Sequence, residues 1–207
     1  WLDSRVGRWI VLVVGVVEIV LFLYAWQVEP RQLDITKHEV NTDKLAAGER
    51  LRIVHLSDLH IDGRDRLPDG LADELNRLEP DLVLLTGDYL NDPLPDSEEA
   101  LLEFIADLES RLGIYGVAGN WDVRAWSNAR SLLREAGAHM VDGFATEVAG
   151  SELPIRIHGH FDASMLEAHG EYPGFDIALH HSPDSIEDLS GKIDLYLCGH
   201  THGGQVR

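Results

Sequence analysis

Residues 51–60 read LRIVHLSDLH. The run from Leu51 to Leu56 is short, apolar and rich in branched side chains, as a buried strand would be, and it ends on Asp58 and His60. Side chains two apart in an extended segment point the same way, so this carboxylate and imidazole face one point in space. Working outward, the same grammar returns. Asp81 to Thr86 runs into Gly87-Asp88, Ile114 to Ala118 into Gly119-Asn120-Trp121-Asp122, Phe175 to Leu179 into His181-Ser182-Pro183, and Leu195 to Cys198 into Gly199-His200-Thr201-His202. Ile155 to His158 is a further strand candidate. Between these runs, Leu67 to Leu78, Asp96 to Leu112 and Ala125 to Ala136 read as helices. The second opens with Asp96 three residues before Glu99, in capping-box spacing, and gathers Leu101, Leu102, Ile105 and Leu108 on one face. The third closes on Gly137 as a C-terminal cap. Strands alternating with helices make an α/β domain, whose sites gather at the carboxyl edge of the sheet. Gly87, Gly119 and Gly199 each precede a polar residue there, as sharp turns and close backbone approach require.

Asp58, His60, Asp88, Asn120, His181, His200 and His202 therefore form a line of metal-binding residue types, each placed just after a strand. Taken singly, most have a plain reading: a helix cap and a surface histidine for Asp58 and His60, ordinary turns at Gly87 and Gly119, a loop histidine at 181. Gly199-His200-Thr201-His202 is the strong motif, because paired histidines bracketed by glycines have no packing use. Their order carries the argument. Oxygen and imidazole donors without a thiolate suit Mn, Fe, Zn or Co, and two such sites together point to a two-metal hydrolase.

The 207 residues carry a formal charge of −19, which argues against a nucleic-acid surface, since phosphate backbones are met by dense Lys and Arg. An anionic substrate group must then be met locally, by metal. A single cysteine, Cys198, excludes an intrachain disulfide, and its apolar run places it in the core. The chain starts on Trp1 and stops at Arg207 just after a functional motif, so it reads as a fragment whose C-terminal part is missing. From Trp9 to Trp26 it reads WIVLVVGVVEIVLFLYAW, which as a helix would span roughly 27 Å, a bilayer core. Trp1 and Trp9 at one end and Tyr24 and Trp26 at the other suit the interfaces. A signal peptide would have a shorter apolar core and a small-residue cleavage site. Glu18 in mid-span should be neutral, paired or turned to a polar cavity, and Arg5 and Arg8 against Arg31 and Lys37 leave the orientation open. The expected organisation is an anchor over 1–28, a connector over 29–50 with a short strand around Leu33 to Thr36, and a catalytic domain over 51–207.

These residues resemble the calcineurin-like metallophosphoesterase family, whose pattern is DxH, GD, GN followed by His and an acid, a lone His, and GHxH. The resemblance covers Leu51 to Arg207, and Thr86-Gly87-Asp88-Tyr89 with the GHTHGGQ run from Gly199 to Gln205 is most similar to a membrane-anchored branch. Some members of that branch act like the hydrolases of UDP-2,3-diacylglucosamine in lipid A synthesis. The resemblance implies a four-layer sandwich of two mixed sheets flanked by helices, and two divalent cations, Mn first, then Fe, Zn or Co. Asp58, His60 and His202 would hold the first cation, Asn120, His181 and His200 the second, and Asp88 would bridge them. His181 is preferred to His180 because the family's ligand stands two residues before proline.

Trp121 departs from the pattern. The family's histidine there is thought to protonate the leaving group or steady its charge, and indole can do neither proton transfer nor act as a base. Three readings stay open: a substrate whose leaving group needs no proton, such as a phosphate monoester released from a diphosphate; a stacking platform or apolar wall; or a replacement acid from His158, His160 or His180, whose plainer reading is surface or strand-end placement. The role of Asp122, which would orient the missing histidine, is open as well. The leading function is a membrane-anchored hydrolase of a phosphoester or diphosphate bond, with a lipid-linked substrate such as UDP-2,3-diacylglucosamine. The rivals are a phosphodiesterase or phosphatase on soluble phosphoesters, and a metal-binding scaffold without catalysis.

Overall fold

The computed structural model describes residues 4–27, 34–46, 48–63, 67–68, 70–124, 127–160, 162–170 and 172–202. Trp1, Leu33, Ala125, Trp126 and the 203–207 end of the last motif lie outside them. The chain divides after Glu39 into two compact units. In the first, α1 (Arg5–Gln27) is long and apolar enough to cross a membrane, at about 1.5 Å per residue. Its Val, Leu and Ile side chains, and Glu18 among them, are exposed. The connector strand expected around Leu33 does not form over 34–36.

The second unit holds two four-stranded sheets. The first has the order β1 (Ile53–Leu56), β2 (Leu82–Leu85), β3 (Ile114–Gly116), β4 (His139–Met140), parallel throughout. The second runs β5 (Ala145–Glu147), β6 (Ile155–Gly159), β7 (Phe175–Leu179), β8 (Leu195–Leu197). Here β5 is antiparallel to β6 and the rest are parallel. Among the described residues only this second sheet is mixed, and the first, expected to be mixed as well, is parallel. Helices α2 (Leu71–Asn76), α3 (Pro95–Ala106) and α4 (Ala129–Glu135) connect the first sheet's strands. In the second sheet, α5 (Ala163–His169) and α6 (Ile186–Leu189) do so.

Strand alternation builds the layers. Successive side chains in a strand face opposite ways, so Leu82 and Leu84 point into one core while Val83 and Leu85 point into another, all fully buried. Leu82 and Leu84 join Tyr115, Val117, Ile155, Ile157, Ile177 and Leu179 between the sheets. Val83 and Leu85 meet Leu75, Leu101, Ile105 and Leu133 of the helices. On the far side Ala178 packs with Leu166 and Leu189 of α5 and α6. The result is helix, sheet, sheet, helix. Each buried leucine contributes about 2 kcal/mol over leaving it in water.

The helix ends refine the sequence reading. Asp96 is not a cap, because Leu94 holds that position and Pro95, with its fixed φ, starts α3. That helix stops at Ala106 rather than Leu112, where Asn76 bonds both the carbonyl of Asp107 and the amide of Glu109 and turns the chain away. Gly137 does end α4: at φ +95 its amide bonds Arg134 and the next bonds Leu133, a Schellman closure. Cys198 is half-buried rather than buried, because β8 is the last strand in its sheet and its residues are covered from fewer sides.

Candidate metal centre

Parallel strands deliver their carboxyl ends to one edge, and the polar residues follow there. Asp58 and His60 leave β1, Asp88 leaves β2 and Asn120 leaves β3. His181 follows β7, and His200 and His202 follow β8. Backbone bonds lock the β1 and β2 loops side by side past the strand ends: Asp58 N–H donates to the carbonyl of Gly87 at 2.9 Å and His60 N–H to that of Asp88 at 3.0 Å. Gly87 is at φ +95, and a Cβ there would strike the backbone of Gly119, while one at Gly119 would strike Asp88. Glycine is needed at both positions for the loops to meet.

All seven expected residues converge. Asp58, His60 and His202 form one group and Asp88, His181 and His200 another, the donor atoms of each lying within 4.8 Å of one another. Asp88 Oδ2 stands between them, 3.6 Å from His60 Nε2 and 3.2 Å from His181 Nε2. His60 Nε2 is 3.3 Å from His202 Nε2, whose ring lies 3.5 Å from Asp58 Oδ1. His181 Nε2 is 3.0 Å from Asn120 Oδ1 and 3.1 Å from His200 Nδ1. Among the described non-glycine residues only seven have positive φ, and five of them are Asp58, His60, Asp88, His200 and His202. Such backbone persists where surrounding contacts over-determine it, as at functional sites.

The chemistry fits cations. His181 Nδ1–H donates to the carbonyl of Thr86 at 2.8 Å, and His60 Nδ1 faces Asn91 Oδ1 at 2.8 Å. Each bond puts the ring proton on Nδ1 and leaves the Nε2 lone pair facing carboxylate and amide oxygens. Converging acceptors are a cation's coordination shell, and Cys198 takes no part. Burial pushes the Asp88 carboxyl up, but His181, the Trp121 amide and His60 outweigh it and leave it below the ordinary value. Burial likewise lowers His181, yet Asp88 and the Thr86 carbonyl leave it raised. A divalent cation competes with such a proton for the same lone pair.

Asp122 has a role that its motif alone did not reveal. Its Oδ2 accepts from the amides of Asp88 and Gly119, both at 2.7 Å, and its Oδ1 from Tyr89 at 3.0 Å. In return Trp121 N–H donates to Asp88 Oδ1 at 2.8 Å. Asp122 thus ties the Gly87-Asp88 and Gly119-Asn120 loops together; burial raises its pKa against those three amides. Asn91 was missed because an asparagine three residues after Asp88 carries no signal of its own.

Trp121 stands edge-on to His60, ring centroids 5.8 Å apart, with the Arg124 guanidinium 3.8 Å over its own ring. The three spare histidines separate. His158 is fully buried in β6 with its Nε2 2.9 Å from Asp176, and Arg156 donates twice to the same carboxylate, at 2.7 and 2.8 Å. His180 is buried and stacked on Tyr196. His160 lines a cavity of about 560 Å³ together with Asn120, His181, His200, Asp162 and Asp184, and His180 also reaches its wall.

The sequence profile of the calcineurin-like phosphoesterases matches residues 51–204. Among curated relatives, the uncharacterized metallophosphoesterase YkuE of Bacillus subtilis (strain 168) is 25% identical over 89% of this chain and 70% of its own length. Phosphodiesterase YaeI of Escherichia coli (strain K12) is 28% identical over 90% of this chain and 73% of its own. A transmembrane protein with metallophosphoesterase domain from Bos taurus is 31% identical over 83% of this chain and 45% of its own.

Proposed function

The chain belongs to the calcineurin-like phosphoesterase family and is a metal-dependent phosphoester hydrolase, and on that premise we propose which residues hold its cations and what it cleaves. Asp58, His60 and His202 hold one divalent cation, Asn120, His181 and His200 hold a second, and Asp88 serves both. Mn is the expected metal. The observation that carries this assignment is the placement of Asp88 Oδ2 between the Nε2 atoms of His60 and His181. Two cations there would clamp the phosphoryl oxygens and lower the pKa of a water for in-line attack. The protein's own work is positional. Asn91 and the Thr86 carbonyl fix the tautomers of His60 and His181, Asp122 holds the Asp88 and Asn120 loops in register, and the cavity beside Asn120 receives the substrate.

The substrate proposed is lipid-linked, a diphosphate such as UDP-2,3-diacylglucosamine, cleaved by an enzyme anchored through α1. The apolar length of that helix supports the anchor, as does the likeness to a transmembrane relative; the likeness to phosphodiesterase YaeI supports a doubly substituted phosphorus. The test is to assay the full chain in detergent with Mn on the UDP-linked lipid, on a soluble aryl diester and on an alkyl phosphomonoester. Metal-dependent turnover with the lipid preferred is expected, falling by about 10³-fold or more in Asp88→Asn, as when a group that acts only with its partners is removed. Turnover indifferent to metal and to Asp88→Asn would overturn the hydrolytic centre. Preference for the monoester or the soluble diester would overturn the lipid substrate alone.

A further inference from the structure

The family's histidine is replaced here by Trp121, and among the described residues two spare histidines, His160 and His180, line the cavity beside the proposed cations. We propose that His160 is a catalytic residue, the general acid that gives a proton to the departing oxygen, an inference that rests on the hydrolytic reading above. Of the three spare histidines, His158 is buried on Asp176, while His180 reaches the cavity wall but is itself buried and stacked on Tyr196. His160 is different. Its side chain is about a third exposed, and it lines the same cavity as Asn120, His181 and His200.

Its placement is rigid. His160 follows the last residue of β6, and its amide donates to the carbonyl of Leu179 at 2.9 Å, joining it to the strand that leads to His181. A Cβ on the preceding Gly159 would strike the carbonyl of Val141, so the chain is pressed against the first sheet's end. His160 is held at φ +53, the same left-handed region that five of the proposed ligands occupy. The ring is anchored too. Its Nε2–H donates to the carbonyl of Ala118 at 2.7 Å, two residues before Asn120, with Asp142 Oδ1 3.7 Å from the same nitrogen. A carbonyl can only accept, so Nε2 keeps its proton in every state and the acid–base atom is Nδ1. Asp142 from the first sheet's end, Asp162, Asp184, His181 and His200 from the cavity wall, and the His180 ring 5.5 Å away are titratable groups around it.

The step balances. As the water oxygen bonds phosphorus, the bond to the leaving oxygen breaks with its electron pair, and the Nδ1 proton passes to that oxygen. The water's proton leaves to solvent, the imidazole stays neutral on its Ala118 anchor, and solvent returns its proton. The demand for this proton grows with the basicity of the leaving group.

His160→Gln keeps an N–H for the Ala118 carbonyl but has no proton to give. The full chain and this variant, both loaded with Mn, are compared on diesters whose leaving groups run from nitrophenol to a simple alcohol, with bound metal measured in each. The variant is expected to lose about 100-fold or more on the alcohol ester and at least about tenfold less on the nitrophenyl ester, with metal content unchanged. Equal losses across the series, no loss at all, or a fall in bound metal would overturn the assignment and make His160 a structural residue. A wild-type chain active on nitrophenyl esters and diphosphates but inert on the alcohol ester has no acid, and would also overturn it. A wild-type chain inert on the whole series removes the hydrolytic reading, and this one with it.

Discussion

Asp88 and Asp122 hold each other through main-chain amides: Asp122 accepts the N–H of Asp88, and Asp88 accepts the N–H of Trp121. Two carboxylates thus share one corner of the site, each facing peptide N–H dipoles. The convergence of the seven proposed ligands was legible in the sequence through their order at successive strand ends, not through any one of them. Asp122 and Asn91 were not, because partners of that kind act on amides and ring nitrogens that every fold supplies. His55 illustrates the same limit, a strand histidine in the sequence and a charge-sensitive one in the fold. Burial holds it neutral, lowering its pKa to about 4 against the opposing pull of Asp58, and its Nε2 pairs with Thr86 Oγ1 at 2.8 Å. Between pH 6.5 and about 4 the unfolded chain takes up a proton that the folded chain refuses. Its contribution to stability is therefore complete above 6.5 and shrinks as pH falls through that window, by up to about 3 kcal/mol. Denaturant melts of wild type and His55→Gln from pH 7 to pH 4 should show the two curves converging toward acid. Parallel curves would mean that His55 carries no such penalty.

At the scale of elements, strands lying within apolar runs were readable, including β3 and β8 of three residues each, and β4 and β5 were not. β4 and β5, of two and three residues, are too short to show a period, and α5 and α6 carry only Leu166 and Leu189 as buried apolar marks. β6 and β7 were read as apolar runs, yet their outward positions hold Arg156, His158 and Asp176 beneath α5. Arg156 and Asp176 form a doubly bonded pair, about 9% and 8% exposed, with Arg156 also over the Tyr172 ring. Burial pushes Asp176 up, but His158 and Arg156 outweigh it and hold its carboxyl below the ordinary value. Removing one member of such a set leaves the others buried without a counter-charge. Asp176→Asn should cost about 3–5 kcal/mol in a denaturant melt, while a double change to apolar residues at 156 and 176 should cost clearly less. If the double variant is as unstable as the single one, the pair is a net source of stability rather than a compensated burden.

For the whole molecule, the α/β class and the converging site followed from the order of motifs along the chain, and the two-sheet sandwich from the family resemblance. The parallel character of the first sheet did not, because an apolar run looks the same in either direction. The helix α1, whose apolar side chains are exposed over a length that can span a bilayer, predicts that the full chain sediments with membranes. Alkaline carbonate or high salt should leave it there and detergent should release it, since burial of about 20 apolar residues is not an ionic attachment. Release by salt alone would make the association peripheral.

His60 and His202 meet across 142 residues of sequence and Asn120 and His181 across 61, in each pair one following a strand of the first sheet and one a strand of the second. A pocket assembled from both sheets cannot exist while either is unformed, and contacts so distant in sequence close late because the loop entropy must be met first. Metal uptake is then a clock. A newly made chain would gain affinity for its cations only in the last stage of folding, which keeps a reactive centre from operating on anything before the protein around it is finished.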